Sequence, residues 1–408
     1  MANEREYDII VWGASGFTGR LVAEYLLAEY KDGSLKWAMA GRNQQKLEEV
    51  RNTIAGDHIP IVIADSMDSV SLDAMTQRAK VICTTVGPYA KYGSNLISSC
   101  IANRTDYCDL TGEVQWMRRM IDQHHDEAKA NGVRIVHTCG FDSVPSDMGV
   151  YFLQQEIKKD RGVYAEHIKM RVKAMKGGMS GGTYASLSNV MEEAAKDKSI
   201  YKILFDPYGL NPNDSQRGDD QPDLAKVIYE EESKSWIAPF IMAGINTKVV
   251  RRSHALSAYP YGASFKYDEA MMTGDGFSGR AKGLMTAGAM GVMMAGKPGS
   301  LLKKVTDKVL PSPGEGPNKE ERENGFFNLK LFATLADGSQ VQGRVTGDKD
   351  PGYGSTSKML GEAAVCLARD IDRCPDVAGM LTPSTALGDA YLERLQNHAG
   401  LTFDYYKE

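Results

Sequence analysis

Nothing in this 408-residue sequence is long and apolar enough to cross a bilayer as a helix. The charge-free run 283–296 has fourteen residues, against the ~20 that a span requires. Residues 1–8 are polar and lack an apolar signal core, so the expected location is cytoplasmic. Cysteine is sparse, with six residues at 83, 100, 108, 139, 366 and 374 and no C-x-x-C pair. That spacing argues against a structural zinc site or any other metal centre, and the thiols read as reduced. There is no excess of basic charge, with 48 Lys and Arg against 53 Asp and Glu. A nucleic-acid partner is therefore not expected. No internal repeat or low-complexity tract is found.

What is present is an ordinary globular composition, 42% hydrophobic and 25% charged. The length suits two domains. Short apolar runs at 7–12, 35–40, 59–64, 81–86, 106–110 and 133–138 read as strands. Helical spacing fills the gaps at 17–30, 43–54, 70–78, 94–103 and 114–131. Strict alternation of this kind predicts a doubly wound parallel sheet of Rossmann type. The pattern changes after Gly140. A half-exposed strand is expected at 167–175, a helix at 183–197, a long loop at 206–223, and strands at 246–253, 262–270, 325–335 and 339–346. Late helices are expected at 353–368 and 386–395. The fold class is thus α/β, with a second, mixed α/β domain. The expected division is 1–148 for the nucleotide-binding domain and 149–346 for a substrate or dimerisation domain. Residues 347–408 would return to the first domain.

Gly13-Ala14-Ser15-Gly16-Phe17-Thr18-Gly19 links the first strand to the first helix. Glycines let the backbone approach a pyrophosphate, and the helix N-terminus offers N–H donors and positive dipole. The spacing G-x-x-G-x-x-G departs by one residue from the commonest dinucleotide motif, but its strand–turn–helix context is the required one. An NAD-binding chain usually places an acid at the end of the second strand. This one has Ala40-Gly41-Arg42-Asn43. Arg42 can pair with a 2′-phosphate through its planar fork, so NADP(H) is the expected cofactor. Ser15 or Asn43 would add a hydrogen bond. The competing assignment for Arg42 is the cap of a surface turn. Asp65 reads either as a contact to the adenine edge or as a helix N-cap. Thr85, Gly87 and Pro88 follow the fourth strand, where the nicotinamide ribose of such a sheet lies.

These motifs, followed by D-L-T-G-E (109–113), C-G-F-D-S-V-P-S-D (139–147), G-G-M-S-G-G-T (177–183), P-G-E-G-P (313–317) and residues 347–354, resemble the saccharopine dehydrogenase-like oxidoreductases. Within these the chain is most similar to the trans-acting enoyl reductase branch. The resemblance covers nearly the whole chain. It implies NADPH-dependent reduction of a C=C bond in an acyl or polyketide thioester carried by a partner synthase. A saccharopine-type reductase of an amino-acid imine is the alternative; no set of arginines suited to a dicarboxylic amino acid stands out. A third reading is a lipid-surface protein that keeps the nucleotide fold without turnover. A homodimer is compatible with each.

Hydride transfer needs the acceptor carbon held against the nicotinamide and a donor on the conjugated carbonyl. Tyr89, Asp142 and Ser143 are candidates at strand ends, with Thr111 and Glu113 beside them. Thr183 and Tyr184, with Ser180, are candidates in the glycine cluster. The competing assignment for Asp142, Ser143 and Thr183 is helix capping. The run 283–296 carries Met285, Met290, Met293 and Met294, and Lys297, Lys303, Lys304 and Lys308 follow. It reads either as a peripheral lipid-surface segment or as a buried small-residue helix.

Overall fold

The apolar run YDIIVW becomes the central strand β1 (Tyr7–Trp12), buried along its whole length. The computed structural model describes residues 5–177, 181–295 and 316–407. Numbering strands in chain order, β2 (Trp37–Gly41), β3 (Ile61–Ile63), β4 (Ala79–Thr84), β5 (Asp106–Cys108) and β6 (Arg134–Val136) join β1, and so does β13 (Gly379–Leu381) from far along the chain. Their order is β13-β6-β5-β4-β1-β2-β3, with every pairing parallel. Helices cover both faces, which is why β1 is apolar throughout rather than alternating. Ile9 and Val11 pack with Val22 and Leu26 of the Phe17–Glu29 helix and Leu360 of the Thr356–Arg369 helix. Ile10 and Trp12 face the opposite cluster, with Leu72, Ile97 and Trp116.

The second sheet contains β7 (His167–Lys176), β8 (Ile228–Glu230), β9 (Ser235–Ala238), β10 (Lys266–Gly274), β11 (Phe326–Thr334), β12 (Gln340–Gly347) and β14 (Leu401–Tyr406). Its order is β14-β12-β11-β7-β10-β9-β8, and β7 with β10 is its one parallel pairing among the described residues. The chain after residue 347 is therefore shared. β13 completes the first sheet and β14 the second.

The strand expected at 246–253 is instead part of the helix Ala243–Leu256. Val249 and Val250 suggest a strand by their β-branching, but burial decides otherwise. Ile245 and Val249 share one face four residues apart and belong to the core. The cations of this helix survive burial by donating to carbonyls. Lys248 Nζ bonds Gly244 O at 2.8 Å, Arg251 Nη2 bonds Tyr267 O at 2.8 Å, and Arg252 bonds Leu210 O and Met380 O. The strand expected at 262–270 starts later, as β10, after a turn in which Gly262 has φ +88. The run 283–296 lies mostly in the helix Gly276–Ala295, but not as a buried one. Phe277 is 88% exposed, Met285 75% and Leu284 58%. The side chain of Met294 and the lysines from Lys297 to Lys308 lie outside the described residues. Among the described residues no helix is long and apolar enough to cross a membrane.

One buried carboxylate ties three helices together under the first sheet. Glu362, fully buried, accepts from Tyr25 Oη at 2.6 Å, Tyr30 Oη at 2.7 Å and Arg394 Nη1 at 2.9 Å. These partners come from the Phe17–Glu29 helix, its C-cap, and the Pro383–Asn397 helix. Removing one member of such a buried pair leaves the other charge uncompensated. Glu362→Ala is expected to lower unfolding free energy by ~3–5 kcal/mol. Urea denaturation followed by far-UV circular dichroism checks this, and a loss within experimental error of zero would remove the role given to Glu362.

Candidate functional site

The loop after β1 shows why its glycines are needed. Gly13 sits at φ +90. A Cβ there would lie 2.6 Å from Val86 Cγ2, and one at Gly19 would lie 2.2 Å from the Gly13 carbonyl oxygen. The loop is thus pressed against residues 85–86 at the end of β4, where the strand order reverses. Thr85 N donates to Trp12 O at 3.0 Å, and Thr85 Oγ1 lies 3.4 Å from the Trp12 and Gly13 carbonyls. Gly16 is the N-cap of the Phe17–Glu29 helix, with no side-chain cap and no acid in the first turn. The N–H groups at Phe17 and Thr18 therefore face the cleft without a side-chain competitor, as a phosphate requires. Arg20 and Arg322 stand 5.5 and 5.6 Å from the Phe17 ring centroid and add positive charge beside the loop.

At the end of β2, Arg42 is exposed and makes no hydrogen bond or ion pair among the described residues. The Ser15 hydroxyl would lie 3.6 Å from a Cβ on Gly41, so it borders the same corner. Asn43 turns out to be a helix cap. Its Oδ1 accepts from Lys46 N at 3.0 Å, which leaves only its amide N–H groups for a ligand. Asp65 is not the helix cap considered for it. Asp68 caps the Ser69–Thr76 helix, and Asp65 Oδ1 closes a turn by accepting from Met67 N at 2.8 Å.

Across the reversal point, the Gly87–Pro88 peptide is cis. Exposed Gly87 and half-buried Pro88 lead into the short helix Tyr89–Tyr92. Glu113 fixes this turn. Its Oε1 accepts from Tyr89 N at 2.7 Å and its Oε2 from Ala90 N at 3.0 Å. Ser186, from the helix Gly181–Lys196, donates to Oε1 at 2.9 Å. Burial pushes the Glu113 carboxyl above the usual range, and its three donors oppose that shift. Asp109 does similar work one turn away. It accepts from Tyr107 Oη at 2.8 Å, Thr111 N at 3.0 Å and Thr138 N at 3.1 Å, and pairs with His137 Nδ1 at 2.7 Å. Thr138 is held at φ +62, a costly conformation for a β-branched residue. The strain lies at the turn that leads to Asp142.

The proposed chemical residues separate in the structure. Tyr89 is buried against Trp116, with ring centroids 5.5 Å apart. Its hydroxyl donates to Thr84 O at 3.2 Å, so it packs under the turn rather than facing the cleft. The Thr111 hydroxyl accepts from Glu113 N at 3.1 Å. Ser143 is buried and donates to Asn246 Oδ1 at 3.1 Å. Neither Ser143 nor Asp142 caps the Val144–Arg161 helix through its side chain. Asp142 is half-buried and has no hydrogen-bond partner among the described residues. Its Oδ2 would lie 3.9 Å from a Cβ on Gly112, beside Glu113. Removal from water pushes its carboxyl up to about 7. Thr183 and Tyr184 lie in the first turn of the Gly181–Lys196 helix, but their side chains, like all of Ser180, fall outside the described residues.

Two further segments converge here that sequence reading did not select for the site. Tyr353 Oη accepts from Gly181 N at 3.0 Å, and its ring meets Phe17 edge-on at 4.7 Å. Thr356 Oγ1 accepts from Phe141 N at 3.0 Å. Both follow Asp350, a buried residue that caps the π-turn Pro351–Ser355 through Tyr353 N and Gly354 N. The signal was the D-P-G-Y-G run at 350–354.

Residues 9–136, which include the glycine loop, Arg42 and residues 85–88, match the saccharopine dehydrogenase NADP binding domain. A Mycobacterium tuberculosis protein provisionally named a trans-acting enoyl reductase is 41% identical over 405 residues, 97% of this chain and 96% of its own. The trans-acting enoyl reductase of Mycobacterium ulcerans is 36% identical over 404 residues, 96% of each chain. Among solved structures, apo saccharopine dehydrogenase (L-Glu forming) from Saccharomyces cerevisiae aligns with a TM-score of 0.53. It covers 98% of this chain and 100% of that one at 13% identity, a likeness of fold. The cofactor is NADP(H). Arg42→Ala is expected to weaken NADPH binding by ~1–3 kcal/mol, the range for charge-assisted bonds, and to leave NADH nearly unchanged. Fluorescence titration of both cofactors checks this; equal losses would refute a 2′-phosphate contact.

Proposed function

The chain belongs to the trans-acting enoyl reductases of the saccharopine dehydrogenase-like oxidoreductases, and from that premise we propose that it reduces the C=C bond of an acyl thioester carried by a separate synthase. It is an NADP-dependent oxidoreductase. NADPH, when bound, supplies a hydride to the β-carbon of the enoyl group. The glycine loop and the Phe17–Glu29 helix N-terminus would hold the pyrophosphate, and Arg42 with Ser15 the 2′-phosphate. The Glu113-bound turn at Gly87 and Pro88 would set the nicotinamide position. The substrate then needs a proton at its α-carbon as negative charge develops toward the thioester oxygen.

Asp142 is the observation that carries this reading. A carboxyl with no hydrogen-bond partner among the described residues, raised to about 7 near Gly112 and Glu113, suits a general acid. Its neighbours are committed elsewhere: Ser143 to Asn246, Tyr89 to Thr84, and Thr111 to Glu113. Asp142 would hold the proton at Oδ1 or Oδ2 and deliver it to the α-carbon. Thr183 and Tyr184, at the N-terminus of the Gly181–Lys196 helix, remain the proposed partners for the thioester oxygen.

The finer partner reading adds a lipid surface to the carrier-bound substrate. The helix Gly276–Ala295 presents Phe277, Leu284, Met285 and Val292 to solvent, with Arg280 and Lys282 exposed beside them. An apolar face with flanking cations suits anionic headgroups. On this reading the protein works in the cytoplasm, peripheral to a membrane or lipid body.

Because its pKa is raised, Asp142 keeps its proton up to about pH 7 and loses it above. The enoyl reduction rate should therefore fall as pH rises through that value. Asp142→Asn should lower kcat by about 10²–10⁴-fold, abolish this alkaline limb, and leave NADPH titration unchanged. Stopped-flow absorbance at the nicotinamide band with enoyl thioesters tests both, and an unaltered pH profile in the variant would return the proton to another group. For the lipid contact, the protein should float with anionic vesicles and cease to do so as Phe277→Ser/Met285→Ser. Flotation that ignores these substitutions would sink that part of the reading.

A further inference from the structure

Four of the six cysteines, at 83, 100, 108 and 139, are buried in the first domain with no route to a reagent. The remaining two differ. Cys366 lies in the last turn of the Thr356–Arg369 helix and is buried. Cys374 follows the short 3-10 turn Ile371–Arg373, is partly exposed, and points back at it. Their Sγ atoms are 3.6 Å apart. Movement of roughly 1.6 Å brings them to the ~2.0 Å of a disulfide.

The segment between them is held in place by its own bonds, so the thiols meet without large rearrangement. Cys374 N donates to Asp370 O and Ile371 O, both at 3.2 Å. Asp370 pairs with Arg394, and Arg373 with Glu393, which anchors the turn to the Pro383–Asn397 helix. The two thiols are also unequal. A sulfur contact from Cys366 lowers the Cys374 thiol, and the charges of Arg134 and Arg373 add to this. The Cys374 contact and burial push the Cys366 thiol up. The more exposed sulfur is thus the better thiolate, and the buried one is poised behind it.

We propose that Cys366 and Cys374 are a redox-active dithiol, a site of thiol–disulfide exchange with low-molecular-weight disulfides. Cys374 is the attacking thiol and Cys366 the resolving one. The Cys374 thiolate attacks one sulfur of the small disulfide, RS–SR. One RS⁻ leaves and takes up the proton released by Cys374. Cys366 Sγ then attacks Cys374 Sγ of the mixed disulfide, and the second RS⁻ leaves with the Cys366 proton. Two protein thiols are oxidised to one disulfide, and one small disulfide is reduced to two thiols. The product staples the end of the helix beneath the first sheet to the segment that enters β13. That helix begins at Thr356, whose hydroxyl holds Phe141 next to Asp142.

The test treats the full-length protein with oxidised glutathione. The reaction is quenched with acid, the protein is denatured and alkylated with N-ethylmaleimide, and intact mass and peptide maps are read. Two of the six thiols should escape alkylation, and the cross-linked peptide should join Cys366 to Cys374. Dithiothreitol should restore all of them. Cys366→Ala should stop at a stable glutathione adduct on Cys374, and Cys374→Ala should take up none at Cys366. The proposal is overturned if the wild-type protein keeps all its thiols while a free dithiol peptide is oxidised in the same tube. It is equally overturned if the cross-link maps to another pair or the wild type stops at the adduct. The wild-type measurement stands even where a variant folds poorly.

Discussion

The cleft depends on one buried carboxylate. Glu113 is removed from water, a costly place for a charge unless donors replace the solvent. Here three do: the backbone N–H groups of Tyr89 and Ala90, and the hydroxyl of Ser186. They come from two elements of the site. The two N–H groups open the short helix after Pro88, so the carboxylate also meets the positive end of that turn. The hydroxyl belongs to the helix that follows the glycine cluster. One side chain thus ties the turn after β4 to the Gly181–Lys196 helix. Lengthening or neutralising it would leave two orphaned donors and free the helix at once.

The C-terminal part of the chain makes this arrangement rigid. It supplies β13 to one sheet and β14 to the other, so neither sheet is complete without it. Between them the Pro383–Asn397 helix docks on the first domain through Asp147. That carboxyl accepts from Ser253 Oγ at 2.5 Å and from Ser384 N at 2.8 Å. Burial raises it to about 6, and the two donors oppose the rise. Asp147, Asp109 and Glu113 follow one pattern: acidic residues of the two family motifs serve as buried acceptors for backbone turns. Their chemistry is architectural, and it is spent on holding loops that carry few regular hydrogen bonds of their own.

What was legible in the sequence follows from locality. The strand, glycine turn and helix at 7–30 are specified by residues within a few positions of one another, and Arg42 by its place at the end of β2. The motif acids were visible as a group, but their partners were not, since Ser186, Ser253 and Ser384 are distant in sequence. The helix Ala243–Leu256 reads as a strand because its buried arginines are satisfied by remote carbonyls that no local pattern reveals. Three-residue strands such as β13 carry too little periodicity to show. Tyr89 was attractive as a hydroxyl at a strand end, yet its ring is needed against Trp116, and packing claimed it.

This division of labour bears on Asp142. In a motif where the other acids are satisfied by two or more donors, a carboxyl without a partner among the described residues is the exception that needs a reason. Stability alone would favour an apolar residue or a paired one at that depth. The strained Thr138, four residues before Asp142, shows that the backbone is held to place this turn rather than relaxed around it. Phe141 N is taken by Thr356 and Ser143 by Asn246, so the residues on either side are fixed while Asp142 makes no hydrogen bond among the described residues. A group unpaired among the described residues, raised in pKa and flanked by fixed neighbours is the one we propose holds the transferable proton.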